Sequence, residues 1–331
     1  MNDFESILVI RRDNIGDLVC TTPLLAALRR RYPKTWIGVL ANSYNAPVLD
    51  GSLDVDKVLA YRKLKHLGDG ESALSALAGR IGMLWALRRR KLDLVVLAAG
   101  EQDTRGGKLA RLLSPRLITR SIPPAPGQHE VERTFSAARS LGFDGTIPPL
   151  SVMPAEKPVA RVRDSIREAG LKPPLIGVHI SARRISQRWP AENFARLVID
   201  LHQKHGAGFM LFWSPGAENH AQHPGDDGKA RALMELVGDR AALLPCPTLA
   251  LTDLIAGLAQ CDTVICSDGG AMHIAAALGK PVACFFGDSP VDRWRPWGVR
   301  HIVLRAVSRK VADIPVDEGV NAVSALLRPL L

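Results

Sequence analysis

The sequence predicts a doubly wound α/β protein in two halves, and three observations predict it. From Ser6 onward short apolar runs alternate with amphipathic stretches of helical length. The alternation breaks once, in the proline-rich stretch 144–160, and then restarts with the same rhythm. The length, 331 residues, exceeds what one compact core usually holds. Buried apolar strands separated by helices are the pattern of parallel sheets covered on both faces.

Taken in order, "SILVI" (6–10) reads as a buried strand and "TPLLAALRRRYP" (22–33) as a helix, with Pro23 tolerated in its first turn and Pro33 closing it. "WIGVLAN" (36–42) and "VDKVLAY" (55–61) are strands, "ALSALAGRIGMLWALRRRK" (73–91) a long helix, and "LDLVVLAAG" (92–100) a fully apolar strand. The stretch 144–160 carries little helical periodicity and reads as a linker, which sets the domains at 1–155 and 156–331. Beyond it come the helix 160–171, strand 175–181, helix 191–206, strand 208–214, helix 248–261, strand 263–267, helix 270–279 and strand 281–287. Residues 217–231, "AENHAQHPGDDGKAR", read as a hydrophilic, mobile surface loop, and the last helix is expected to pack back on the first half. Ligands of such sheets bind beyond the strands' carboxyl ends, so a cleft between the halves is the expected site.

Composition narrows the partners. A formal charge of +10 favours phosphorylated small molecules, an anionic membrane face or nucleic acid. Aromatic residues make up only 5% and nucleic-acid-reading motifs are absent, so nucleic acid is not the expected partner. The five cysteines form no C-x-x-C pair, and Cys20, Cys261, Cys266 and Cys284 lie in or beside apolar runs, as reduced core thiols do in the cytosol. The amino terminus does not resemble a secretory signal, and no segment reaches the length needed to span a bilayer. A cytoplasmic protein, able to rest on the inner membrane's cytoplasmic face, is expected, as a monomer.

Chemistry-bearing residues gather at three strand ends. After the first strand there is neither G-x-G-x-x-G nor a Walker A loop, which argues against a dinucleotide dehydrogenase or P-loop enzyme. Gly16 and Asp17 stand there instead, offering either a helix cap or a carboxylate projected toward the cleft. In "CSDGGAMHIAAALGKPV" (266–282) a strand runs through Asp268 into Gly269 and Gly270 and then a helix, an arrangement whose bare backbone N–H groups and dipole suit a diphosphate. His273, a turn inside, either adds a hydrogen bond or is structural. In "HISARRISQRWPAENFARL" (179–197), Arg183, Arg184 and Arg188 lie among Ser181 and Ser186, and could neutralise phosphate or form a solvated basic loop. "HQKH" (202–205) and "HAQH" (220–223) space histidines three apart but lack a third ligand, so no metal site is expected. Trp294 and Trp297 read as packing residues.

These segments resemble glycosyltransferase family 9, the heptosyltransferases of the lipopolysaccharide inner core. "ILVIRRDNIGDLVCTTPLLAALRRRYP" is similar to the family's opening segment, "SQRWPAENFARL" to its lysine-arginine-tryptophan-proline segment, and "SDGGAMHIAAALGKPVACFFGDSPVDRWRPWG" to its aspartate-threonine-glycine-x-x-histidine signature. The resemblance implies a GT-B architecture: two Rossmann-like domains facing across a cleft, acceptor on the first and nucleotide sugar on the second. It implies inverting, metal-independent transfer of a heptose or related sugar from an ADP-sugar to a lipopolysaccharide-core or similar glycan, with no cofactor. By position it makes Asp17 the catalytic base and sets Asp268, Gly270, His273 and Glu218 around the donor; Ser181, Arg183, Gln187, Arg188 and Gly269, from the same loops, are expected to join them, with Arg188 or Arg183 supplying the phosphate charge. Gln187 stands where the family commonly has lysine and Gly269 where it has threonine.

A sugar hydroxyl attacking an anomeric carbon must lose a proton, which a carboxylate in reach can accept. The leaving diphosphate gathers charge that amides, a helix dipole and arginines can stabilise. An acceptor bearing carboxylates or phosphates needs cations on the first half, for which Arg11, Arg62, Lys63, Arg105, Lys108 and Arg133 are the candidates, ordinary surface charge being the alternative. The competing functions are a sugar-nucleotide hydrolase or epimerase, and a binding module without catalysis.

Overall fold

The computed structural model describes residues 4–61, 73–123, 125–218 and 225–327. Every strand pairing among them is parallel, and the chain divides into two units, Met1–Met153 and Pro154–Leu331.

In the first unit, β1 (Ser6–Ile10), β2 (Trp36–Asn42), β3 (Lys57–Tyr61), β4 (Leu94–Leu97) and β5 (Leu117–Arg120) form one sheet in the order β3-β2-β1-β4-β5. β1 and β4 are buried along their whole length, as strands covered on both faces must be. Helices α1 (Ile15–Val19), α2 (Thr22–Arg31), α3 (Ala73–Arg89), α4 (Thr104–Leu113) and α5 (Glu130–Arg139) complete it. Pro23 starts α2 where a missing N–H costs nothing, and Arg29, Arg30 and Arg31 place positive charge at the negative end of its dipole. α3 packs Met83, Leu84 and Leu87 on Leu8, Ile10 and Val95 of the sheet.

The second unit repeats the plan. β6 (Leu175–His179), β7 (Gly208–Trp213), β8 (Leu243–Pro247), β9 (Thr263–Ser267), β10 (Val282–Phe285) and β11 (His301–Leu304) run in the order β11-β10-β9-β6-β7-β8. Its helices are α6 (Glu156–Glu168), α7 (Ala191–His205), α8 (Asp227–Val237), α9 (Leu251–Ala259), α10 (Gly270–Ala277), α11 (Val291–Trp294) and α12 (Val316–Leu327). Trp189 packs at the core edge-to-face with Phe194 and tilted against Phe285, ring centroids 4.9 and 4.6 Å away. At Gly319 of α12 a Cβ would meet Leu197 Cδ1 of α7 at 2.8 Å, so a side chain there would require the Leu197 side chain to shift.

The strands and helices quoted from the sequence all occur, but with corrections. Asp17 lies on the separate short helix α1, ahead of the expected one. α6 opens at Glu156, inside the stretch read as linker, because Pro158 falls in a first turn that needs no N–H from it. The supposed mobile loop 217–231 ends in α8, whose buried Ala230, Leu233 and Val237 recur at helical spacing; residues 219–224 lie outside the described ones. In the last helix, Val320, Val323, Leu326 and Leu327 belong to the second unit's own core. Cys20, Cys261, Cys266 and Cys284 are buried and form no disulfide.

Both sheets reverse direction of winding beside their first strand: between β1 and β4, and between β6 and β9. Loops leaving such a point diverge to opposite faces and leave a crevice at the carboxyl ends of the strands. The segments after β1, β4, β6 and β9 are therefore where ligand chemistry is to be sought.

Candidate functional site

In the first unit the crevice is filled by a charge cluster centred on Arg11, which is 1% exposed. Its Nη1 donates to Ala98 O beyond β4 at 2.7 Å, and Nη2 donates to Glu130 Oε1 at the start of α5 at 2.7 Å. Nη2 also reaches Asp17 Oδ1 at 2.5 Å, and Nε lies 3.2 Å from Asp13 Oδ2. Arg133 grips the same Glu130 from one turn along α5, through Nε to Oε2 at 2.9 Å and Nη2 to Oε1 at 2.5 Å, and donates to Ala99 O at 3.2 Å. Burial pushes the Glu130 carboxyl up, but hydrogen bonds and charge from Arg133 and Arg11 outweigh it and hold it at about 2. For Asp13 burial wins over Arg11 and the carboxyl rises.

Asp17 is both things the sequence offered. As the N3 residue of α1 it completes a capping box with Asn14, accepting from Asn14 N at 3.0 Å and Asn14 Nδ2 at 2.9 Å, while its other oxygen holds Arg11. Three of roughly four lone-pair positions of the carboxylate are thus occupied, leaving capacity for about one more donor. Its exposure is 7%.

Arg11 and Arg133, expected to bind acceptor, are instead turned inward and committed to Glu130. A guanidinium so buried is stable only if paired and hydrogen-bonded, and Glu130 is what pairs them. Arg105 and Lys108 stand exposed on α4. Arg62 and Lys63 lie outside the described residues. Glu130 escaped notice in the sequence, although Glu-x-x-Arg, one helical turn apart, was the available signal.

In the second unit, the segment after β6 is stapled to the segment after β9. Gln187 Nε2 donates to Asp268 Oδ2 and to Ser289 Oγ, both at 3.1 Å, and Ser267 Oγ donates to Gln187 O at 2.7 Å. Trp189 anchors this segment from below, its indole N–H donating to Ile314 O at 3.0 Å. Burial pushes the Asp268 carboxyl up, and hydrogen bonds from Ser289 and Gln187 offset only part of that. Beside Asp268, α10 begins at Gly269 with no side-chain cap, and Gly269 is exposed. Its first N–H groups and the positive end of its dipole form a surface fit for an anion. A Cβ at Gly269 would meet nothing closer than Ser267 O at 3.9 Å.

The other residues named for the donor divide. Arg183 and Arg184 are exposed, and the charge of Arg184 is felt at Asp268. Arg188 turns inward, Nε donating to Ala182 O at 2.9 Å and Nη1 lying 3.7 Å from Asp226 Oδ1, so it braces the loop. Ser181 Oγ accepts from Ser214 N at 2.9 Å and joins β6's end to β7's. His273 is 2% exposed, its ring edge-to-face with that of half-buried Trp294 at 5.9 Å. Glu218 is exposed, and its charge is felt at Asp226 and Lys229.

Around Glu218 is a cluster that the sequence reading passed over. Lys229 Nζ donates to Ile180 O at 2.9 Å, and burial brings the amine down to about 8. Burial and the Lys229 charge together hold His179 at about 4. Asp226 is fully buried, its carboxyl pushed up by burial. Among the described residues no three His, Cys, Asp or Glu side chains are grouped as metal ligands. His202 Nδ1 bonds Ala207 O and His205 Nε2 bonds Ser324 Oγ, while the pair at 220–223 lies outside the described residues. No described helix is long and apolar enough to cross a membrane.

The family pattern described as "Glycosyltransferase family 9 (heptosyltransferase)" matches residues 94–315. The sequence is 24% identical to lipopolysaccharide heptosyltransferase 3 of Escherichia coli over 302 residues, covering 85% of this chain and 83% of that one. The fold superposes on a glycosyl transferase family 9 protein from Veillonella parvula with a TM-score of 0.82 and 19% identity, over 99% and 98% of the two chains. It also superposes on E. coli heptosyltransferase WaaC with ADP-2-deoxy-2-fluoro heptose, with a TM-score of 0.71 and 20% identity, over 98% and 100%. These whole-length likenesses assign the two parallel α/β units to the GT-B class.

Proposed function

The chain belongs to glycosyltransferase family 9, and on that premise we propose that it moves a heptose or related sugar from an ADP-sugar to a hydroxyl of a lipopolysaccharide-core or similar glycan. One observation carries the reading: the uncapped start of α10, with Gly269 exposed and Gly270 half-buried, lies where the sheet order reverses, beside Asp268, which Gln187 and Ser289 hold in place. An anionic diphosphate is the ligand such a surface takes best. The names of the relatives, and the ADP-sugar analogue in the WaaC structure, support that choice of donor.

In this reading the acceptor oxygen bonds to the anomeric carbon as the bond from that carbon to the diphosphate breaks, and the electron pair leaves with the diphosphate. A single displacement of this kind inverts the anomeric centre. The hydroxyl proton passes to the Asp17 carboxylate through its remaining lone-pair position, while Arg11 and the Asn14 cap fix the carboxylate's orientation. The charge gathering on the diphosphate is met by the first amides of α10, the helix dipole and the exposed guanidiniums of Arg183 and Arg184, which require no metal for this role. With Arg11 and Arg133 turned inward, exposed Arg105 and Lys108 are the acceptor-side cations of this reading among the described residues.

A second reading, donor binding without transfer, is favoured by the heavy engagement of Asp17 and by Gln187 standing where the family commonly has lysine. Asp17→Asn separates the two. With transfer, the variant keeps the rise in melting temperature on adding ADP or an ADP-sugar and loses about 100-fold or more of its turnover on a core-oligosaccharide acceptor. Wild type that binds donor but never transfers supports the second reading, and failure of any ADP-sugar to raise the melting temperature removes the donor assignment.

A further inference from the structure

Residues 79–91, "GRIGMLWALRRRK", contain apolar and basic side chains and glycine, without one acidic or neutral polar residue. The inner side of α3 is accounted for by Met83, Leu84 and Leu87, which pack on the sheet. Its outer side is not what a surface helix of a soluble sheet protein ordinarily shows, a polar face toward water. Ile81 is 58% exposed and Trp85 61% exposed. At about 100° per residue Ile81, Trp85, Arg88 and Arg89 share one arc roughly a quarter of the helix wide. Arg89 lies over the Trp85 ring, Cζ 4.3 Å from its centroid, so cation and ring form one amphipathic surface.

We propose that this outer face of α3 docks on an anionic lipid bilayer, with Ile81 and Trp85 entering the headgroup boundary and Arg88 and Arg89 meeting the lipid phosphates. Charge complementarity selects the occupant: a stripe of arginine with no carboxylate among its neighbours along the helix is matched by a surface of uniform negative sign. Tryptophan beside arginine is the pairing that rests at the headgroup level, apolar body inward and cation outward. α3 is 17 residues long and carries Arg88 and Arg89 in its last turn. The inference does not depend on the transfer reading, since it concerns a helix remote in sequence from Asp17 and Asp268.

The test is co-sedimentation of the full chain with sucrose-loaded vesicles of phosphatidylcholine alone, or containing one quarter phosphatidylglycerol, with neither donor nor acceptor added. The protein is expected to sediment with the anionic vesicles, to stay in solution with the neutral ones, and to be released by high salt. Trp85→Ser is expected to weaken anionic-vesicle binding by about tenfold, and Arg88→Glu with Arg89→Glu by about tenfold or more. Both variants should melt with wild type, because the side chains face water. Lack of binding to anionic vesicles, or variants that bind as wild type does, would overturn the proposal. So would a concentration-dependent dimer that Trp85→Ser abolishes in a protein indifferent to vesicles, since the face would then be an interface between proteins.

Discussion

Gln187 Nε2 donates to Asp268 Oδ2 at 3.1 Å across 81 residues of sequence, and Ser267 Oγ returns a bond to Gln187 O at 2.7 Å. The two loops that flank the reversal of the second sheet are therefore fastened by side chains rather than by strand pairing. Gln187 is a positioning residue for Asp268. The amide donates where a carboxylate needs a donor, and its 6% exposure means water does not compete for the bond.

The first prediction follows from that geometry. Gln187→Ala removes two buried hydrogen bonds and leaves Asp268 short of a donor, a loss of about 1–3 kcal/mol in urea denaturation. Gln187→Glu places a second carboxylate against Asp268 and should be worse than alanine at pH 8, with the gap closing at lower pH as the pair takes up a proton. If alanine and glutamate variants unfold at the same urea concentration at every pH, the bond does not organise the site.

Gly269 leads to a second prediction. The family residue it replaces is threonine, yet the space for a side chain is present, with Ser267 O at 3.9 Å the nearest contact for a Cβ. Its φ of 163° is extended backbone that any residue adopts. Gly269→Thr should therefore fold normally, and its hydroxyl, standing at the start of α10, should cap a free N–H or meet the diphosphate. Calorimetry with ADP is expected to show either a tighter complex, by about fivefold for one added hydrogen bond, or unchanged affinity with higher stability. Failure to fold would mean that something other than space excludes the side chain.

Legibility of these sites in the sequence differed with the kind of interaction that builds them. Apolar runs such as "SILVI" and "TVICS" declared β1 and β9, and the glycines after Asp268 declared the start of α10, because both signals are local. β5, β8 and β11 were missed, β11 being four residues of which the first three are only half-buried. β5 is short and only half-buried, and β8 carries Pro245 and Pro247, which a sheet tolerates on its edge, where β8 lies. Charge partners were the hardest to read. Arg11 and Arg133 look like surface cations until the fold brings Glu130 between them, at a sequence distance of 119 from Arg11. Asp17 could be read as a cap or as a base from its spacing, and the structure shows the cap while leaving the carboxylate room for one more donor.

The third prediction concerns acid, where the two units should respond in different windows. Glu130 titrates near 2 in the folded chain and near 4.5 unfolded. Its contribution, about 3 kcal/mol, is therefore present above pH 4.5 and lost as pH falls from there through 2. His179 titrates near 4 folded and 6.5 unfolded. Between those values the unfolded chain binds the extra proton, so the stabilisation is complete above pH 6.5 and lost as pH falls to 4. Stability followed by urea denaturation should then decline in two steps, the second unit's beginning at the higher pH. His179→Asn should flatten the decline between pH 6.5 and 4 and leave the lower one. Glu130→Gln, which strips Arg11 and Arg133 of their shared buried partner, should cost about 3–5 kcal/mol at pH 7 and flatten the lower decline. A wild-type profile without slope between pH 6.5 and 4, or one that His179→Asn does not change, would show that His179 is as free to protonate in the folded chain as in the unfolded one.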